Sequence, residues 1–97
     1  MAYKIVFTEN ALVDLEELFD YIAGDNPDAA VRFVNSLLDH IQILRTFPEI
    51  GIPVPNRPGV RKMLHSPVRV YYRFDKGRGV IEIAHFWHAA RREPDDL

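Results

Sequence analysis

Four of the chain's seven prolines fall between residues 48 and 59, in the run Pro-Glu-Ile-Gly-Ile-Pro-Val-Pro-Asn-Arg-Pro-Gly. Proline fixes φ and has no backbone donor, so this run can be neither helix nor paired central strand. It separates two stretches whose apolar residues recur at different periods, helical before it and two-residue after it. The 38 residues after Gly59 all read as strand and turn, and a sheet that small cannot bury both of its faces by itself. The second stretch must therefore pack on the first. Residues 1–97 are expected to form a single domain, with the proline run as an ordered loop and not a linker.

In the first stretch Tyr3, Ile5 and Phe7 alternate with Lys4 and Val6, which predicts a short opening strand. Thr8 is placed to cap a helix in which Leu12, Leu15, Leu18, Phe19 and Ile22 recur at three- and four-residue spacing, ending near Ala23. Asp14, Glu16, Glu17 and Asp20 are assigned to its wet face. In Gly24-Asp25-Asn26-Pro27 the glycine can close one helix, Asn26 can cap the next, and Pro27 suits its first turn. Ala30, Phe33, Val34, Leu37, Leu38, Ile41, Leu44 and Phe47 then form an apolar stripe that Pro48 ends.

After the loop, strands are predicted over Val60–His65, Val68–Phe74 and Val80 to about Trp87, joined by links of hairpin length. Within the middle strand Val68, Val70, Tyr72 and Phe74 alternate with Arg69, Tyr71 and Arg73, the pattern of a sheet packed on one face and wet on the other. The predicted fold is α+β, in the order β-α-α-β-β-β, with a helical hairpin on one face of a small, mainly antiparallel sheet.

The absence of cysteine excludes a disulfide framework and any thiolate zinc or iron–sulfur site. The N-terminus has no secretory pattern and no stretch is long enough to cross a bilayer, so a cytoplasmic, membrane-free protein is expected. The net charge of −2 conceals an asymmetry: residues 1–49 carry nine acidic and three basic side chains, residues 50–97 five acidic and nine basic. Halves of about −6 and +4 predict a molecule with a basic side that suits phosphate or an acidic partner. No glycine-rich phosphate loop, nucleotide fingerprint or serine–histidine–aspartate order is present, and no cofactor is expected.

The candidate site is the uncovered sheet face. Arg69, Tyr71 and Arg73 come from the middle strand, with Arg61, Met63 and His65 expected to join them from the strand before. By parity Glu82, Ala84, Phe86 and His88 should share that face, followed by Arg91 and Arg92. Converging Arg, His and Tyr groups can bind phosphate, stack a base or move a proton, and can equally grip a protein. Individually, such residues also serve solubility and cross-strand pairing. His85 and His88, three apart on a strand, point to opposite faces and cannot chelate one ion, so no metal site is expected. His85 is read as a hydrogen-bonded histidine at the rim of the core, and Trp87 as core.

Taken together, the chain resembles the RelE/ParE superfamily of toxins from type II toxin–antitoxin modules, often labelled plasmid-stabilisation proteins. The resemblance is carried by Ala11-Leu12-x-Asp14-Leu15-x-x-Leu18-x-x-Tyr21-Ile22, Asn26-Pro27-x-Ala29-Ala30, Phe47-Pro48-x-x-Gly51, Val68-Arg69-Val70-Tyr71-Tyr72-Arg73 and Trp87-His88-x-x-Arg91-Arg92-x-Pro94. It implies a cognate antitoxin, a toxin–antitoxin hetero-oligomer, and one of two targets: DNA gyrase, poisoned by binding, or the ribosome, where mRNA is cleaved without metal. In the nuclease case Arg69 would contact the scissile phosphate, His88 would act as general acid/base, and Arg73 and Arg91 would assist. In the gyrase case Arg61, Arg69, Tyr71, Arg73, His88, Arg91 and Arg92 are the expected target-binding residues. Ala89 stands where some of the family's nucleases carry a tyrosine, and the chain is mildly acidic where ribosome-docking members are strongly basic. The gyrase reading is therefore preferred. A member that only binds a protein partner is the third alternative.

Overall fold

The computed structural model describes residues 2–97, so Met1 lies outside the account below. Strand β1 covers Lys4–Phe7. Thr8 then has extended backbone, and its hydroxyl accepts from the Ala11 N–H, starting helix α1 over Glu9–Ala23. Asn26 caps helix α2, Pro27–Ile41, by accepting from the Ala29 N–H at 3.0 Å, with Pro27 in the first turn as expected. The apolar stripe continues past Ile41 as a 3-10 turn over Gln42–Arg45 that buries Leu44. Phe47, expected on the same stripe, lies beyond the helix and is 58% exposed.

Four more strands follow: β2 at Ile52–Pro53, β3 at Arg61–His65, β4 at Val68–Asp75 and β5 at Val80–His88. Their order in the sheet is β1-β5-β4-β3-β2. Only β1 with β5 is parallel, and the other pairs are antiparallel. The predicted architecture is present, with one addition: β2, a two-residue strand inside the proline run. Among the described residues no helix is long and apolar enough to cross a membrane.

The main core joins Ala11, Leu37, Ile41 and Leu44 from the helical half to Val68, Val70, Tyr72, Ile81, Ile83 and Phe86 from the sheet. Tyr72 carries a polar group into it. Its hydroxyl donates to the Pro48 carbonyl at 2.6 Å and accepts from the Gly51 N–H at 2.9 Å, tying the proline run to the middle of the sheet. Gly51 is required there because a Cβ would fall 2.5 Å from that hydroxyl.

The other sheet face is not open along its length. Val54 from the proline run and Val60 just after it cover Tyr71 and Ala84, with Trp87 and Leu97 packed alongside, and they form a second small core. The expectation of one wet face is corrected accordingly: a loop carrying two valines supplies apolar cover that strand periodicity does not register.

Candidate partner-binding cleft

Directly paired residues in an antiparallel ladder share a face, so the register decides where each candidate residue lies. Arg61 pairs with Tyr72, Met63 with Val70 and His65 with Val68. All three therefore take the helix-covered side, contrary to expectation, and it is Lys62 and Leu64 that neighbour Tyr71 and Arg69. Arg61 is held by the loop, donating to the carbonyls of Gly51 at 2.8 Å and Glu49 at 3.1 Å.

In β5 the parity assumed from the sequence fails after Ile83. Tyr72 opposes Ile83 but Tyr71 opposes His85, which leaves Ala84 as an extra residue on β5. This bulge sends Phe86 into the main core and His88 to the helix side, while Trp87 pairs with Arg69. Arg69 and His88 thus leave the sheet on opposite faces. Tyr71 is fully buried, its hydroxyl without a hydrogen-bond partner, and is not available to a target. Arg73 sits beside Glu82 near the β4–β5 turn. Arg91 stacks its guanidinium 3.6 Å from the centre of the Trp87 ring, and Arg92 is exposed, its carbonyl accepting from the Trp87 indole.

What the fold does assemble is a cleft of about 790 Å³ along the outer edge of the sheet, where Ile50, Ile52, Met63 and Leu64 supply apolar walls and Lys62, Arg69 and His88 supply basic groups. Ile52 and Leu64 are 66% and 59% exposed and line the same cleft as Ile50, an apolar patch of the kind that marks interaction surfaces. β2 pairs only with Arg61 and Lys62, so Met63 and Leu64 present an unpaired strand edge to the cleft. Ile50 also borders a second apolar groove of about 670 Å³ with Ile43, Phe47 and Tyr3. An apolar cleft with a free strand edge and basic rim suits an extended peptide bearing apolar and acidic side chains.

The sequence reading missed a polar latch between α1, β5 and the C-terminal segment. Asp14, assigned to the wet face of α1, turns to the sheet. It accepts from the Phe86 N–H at 3.1 Å and meets His85 Nδ1 at 2.6 Å, while His85 Nε2 meets Asp96 at 2.8 Å. Asn10 donates to the other oxygen of Asp96. The latch fastens the C-terminal segment to α1 where β5 extends beyond β1. Burial raises the Asp14 pKa against the opposing pull of His85, whereas the hydrogen bond from His85 lowers that of Asp96. His85 is thus the hydrogen-bonded histidine expected at a core rim. Among the described residues no group of three His, Cys, Asp or Glu could hold a metal ion.

The family model for the ParE toxin of type II toxin–antitoxin systems, parDE, matches residues 5–93. The chain belongs to the ParE toxin family. No curated protein matches it. Among solved structures, this ParE-family chain resembles the chromosomal ParDE system of P. aeruginosa with a TM-score of 0.73 and 23% identity, over 90% of this chain and 96% of that one. It resembles the RelBE2 toxin–antitoxin complex of Mycobacterium tuberculosis with a TM-score of 0.70 and 22% identity, covering 91% and 99%. A substituted form of E. coli RelE in the free state gives 0.68 and 22%, covering 93% and 86%. ParE and RelE structures are matched almost equally, which shows a shared fold of two helices on a five-stranded mixed sheet.

Proposed function

We propose that this ParE-family toxin acts by binding DNA gyrase and blocking its cycle, and that a cognate antitoxin silences it by laying an extended segment in the cleft at the β3 edge. The observation that carries the gyrase reading is the dispersal of the nuclease set. Arg69 and His88 leave opposite faces, Arg73 lies at the β4–β5 turn beside Glu82, and Arg91 is stacked on Trp87. A nuclease needs its phosphate-binding and proton-transfer groups within hydrogen-bond reach of one scissile bond. A toxin that grips a protein does not. The antitoxin reading rests on the exposed Ile52 and Leu64, the unpaired edge of β3, and the toxin–antitoxin complexes among the structural neighbours. The chain would act in the cytoplasm, where gyrase works.

The test is a supercoiling reaction with purified chain, gyrase and relaxed plasmid. Supercoiling is expected to fall and linear DNA to accumulate, and addition of the antitoxin should reverse both. Unchanged supercoiling at excess toxin would refute the gyrase reading.

One observation favours ribosome-dependent mRNA cleavage as the second reading: Arg69 and His88, though on opposite faces, both border the same cleft. Translation-dependent cleavage in a reconstituted system, abolished by Arg69→Ala or His88→Ala, is its signature.

A further inference from the structure

His40, in the last turn of α2, and His65, the last residue of β3, are 25 positions apart in sequence and meet across the α2–β3 gap with their Nδ1 atoms 2.8 Å apart. The rings are tilted by 54° with centroids 5.0 Å apart. His65 is fixed from two further directions: its ring stands edge-on to Phe33, and its Nε2 lies 3.5 Å from the Ser36 hydroxyl. With Nε2 directed at Ser36, the tautomer of His65 that donates there leaves its Nδ1 lone pair facing His40, which supplies the proton between them.

We propose that His40 and His65 form a two-histidine site for a divalent transition-metal ion of the zinc class. Two neutral imidazoles converging through Nδ1 are the donor set such ions favour, and hard cations such as magnesium do not. A tetrahedral zinc with bonds of about 2.0–2.1 Å sets its two nitrogen ligands about 3.3 Å apart. The rings therefore need to separate by about half an ångström and to turn so that both Nδ1 lone pairs meet at the ion, a movement open to His40, which is exposed on its helix. The metal takes the place of the shared proton, which moves to Nε2 of His40, so that both rings ligate through Nδ1 as neutral imidazoles. Ser36 acts on the outer side of His65, orienting the ring as outer hydrogen-bond partners of metal-bound histidines do.

Two ligands leave two coordination positions for water or for donors from a bound partner. Ser66 and Pro67, next in the chain after His65, border the β3-edge cleft. An ion here would pin the end of α2 to the rim of that cleft. The remaining histidines are separate from the pair, His85 between two carboxylates and His88 at the end of β5.

The full chain should be titrated with zinc and, separately, with magnesium, by calorimetry and by imidazole-nitrogen NMR. One equivalent of zinc is expected to bind, shifting the Nδ1 resonances of His40 and His65, while magnesium gives no signal. Each of His40→Ala and His65→Ala should weaken binding by about tenfold or more, the least expected for a direct ligand given the losses seen when only an outer partner is removed. His88→Ala should bind as the parent does. Far-UV circular dichroism and zinc-free melting of the variants separate lost binding from lost folding. Absence of saturable zinc binding, or binding unchanged in a folded His40→Ala or His65→Ala variant, would overturn the proposal.

Discussion

Replacing Tyr72 by Phe removes one oxygen from the centre of the molecule and almost no volume. That oxygen makes two hydrogen bonds to the proline run, donating to Pro48 and accepting from Gly51. Burial raises the phenol's pKa above its usual value, so it remains a donor through neutral and moderately basic solution. Gly51 is buried, and its N–H would have no protein acceptor in the variant. An unsatisfied buried backbone group costs about 1–3 kcal/mol. Pro48 is only partly buried, and water can take over at its carbonyl. The expected loss is therefore about 1–3 kcal/mol, which for a domain of this size lowers Tm by about 4–8 °C per kcal/mol. Urea unfolding and calorimetry measure it. Because the loop walls both apolar grooves, the variant should also bind antitoxin more weakly than its stability loss alone predicts. A Tyr72→Phe chain within about 0.5 kcal/mol of the parent, with antitoxin affinity intact, would refute the view that this hydroxyl positions the loop.

Leu64→Asp and Ile52→Asp alter exposed side chains and should leave stability within about 0.5 kcal/mol, yet raise the antitoxin Kd by roughly tenfold or more because each puts a charge against an apolar partner surface; titration calorimetry reads this. Asp14→Ala leaves the Phe86 N–H and one His85 nitrogen without their acceptor and should cost about 1–3 kcal/mol, measured by urea unfolding. Asp96 has a lowered folded-state pKa, so its contribution is present above the usual value of 3.8 and is lost as pH falls through the folded one. Asp14 is raised and contributes in the opposite sense, its share fading as pH climbs above 3.8 through the raised value. Asp96→Asn should therefore flatten the fall in stability on the acid side of pH 3.8, followed by urea midpoints on both sides of that pH.

Most elements were legible because each depends on local chemistry: Thr8 and Asn26 cap, Pro27 starts the second helix, and the alternation of β4 is unbroken, whereas the end of that helix, placed at Pro48, comes earlier, at Ile41 and the 3-10 turn to Arg45. The side-chain directions in the flanking strands were harder. The face of β3 was in fact available, since a two-residue link makes His65 and Val68 cross-strand partners, and Arg61 and Met63 must then follow the core residues of β4. The bulge at Ala84 was not, because Ile-Glu-Ile-Ala-His-Phe-Trp-His fits either parity until its partner strand is known. One extra residue moved Phe86 and His88 to the other side and dissolved the expected cluster. Asp14 was hidden for a related reason: a carboxylate facing a sheet edge has the same helical spacing as one facing water, and its partner lies 71 residues away. The His40–His65 pair depends equally on tertiary structure.

The proposed mode of action is that this toxin grips gyrase and does not cut mRNA. Its most direct test is controlled expression in a bacterium lacking the antitoxin, with DNA-damage response and mRNA 5′ ends followed in the same cells, for the parent chain and for an Arg69→Ala, His88→Ala double variant. Gyrase binding predicts filamentation and induced DNA repair, no new codon-dependent mRNA ends, and toxicity retained in the double variant. New mRNA ends without DNA damage, lost together with toxicity in the folded double variant, would contradict it.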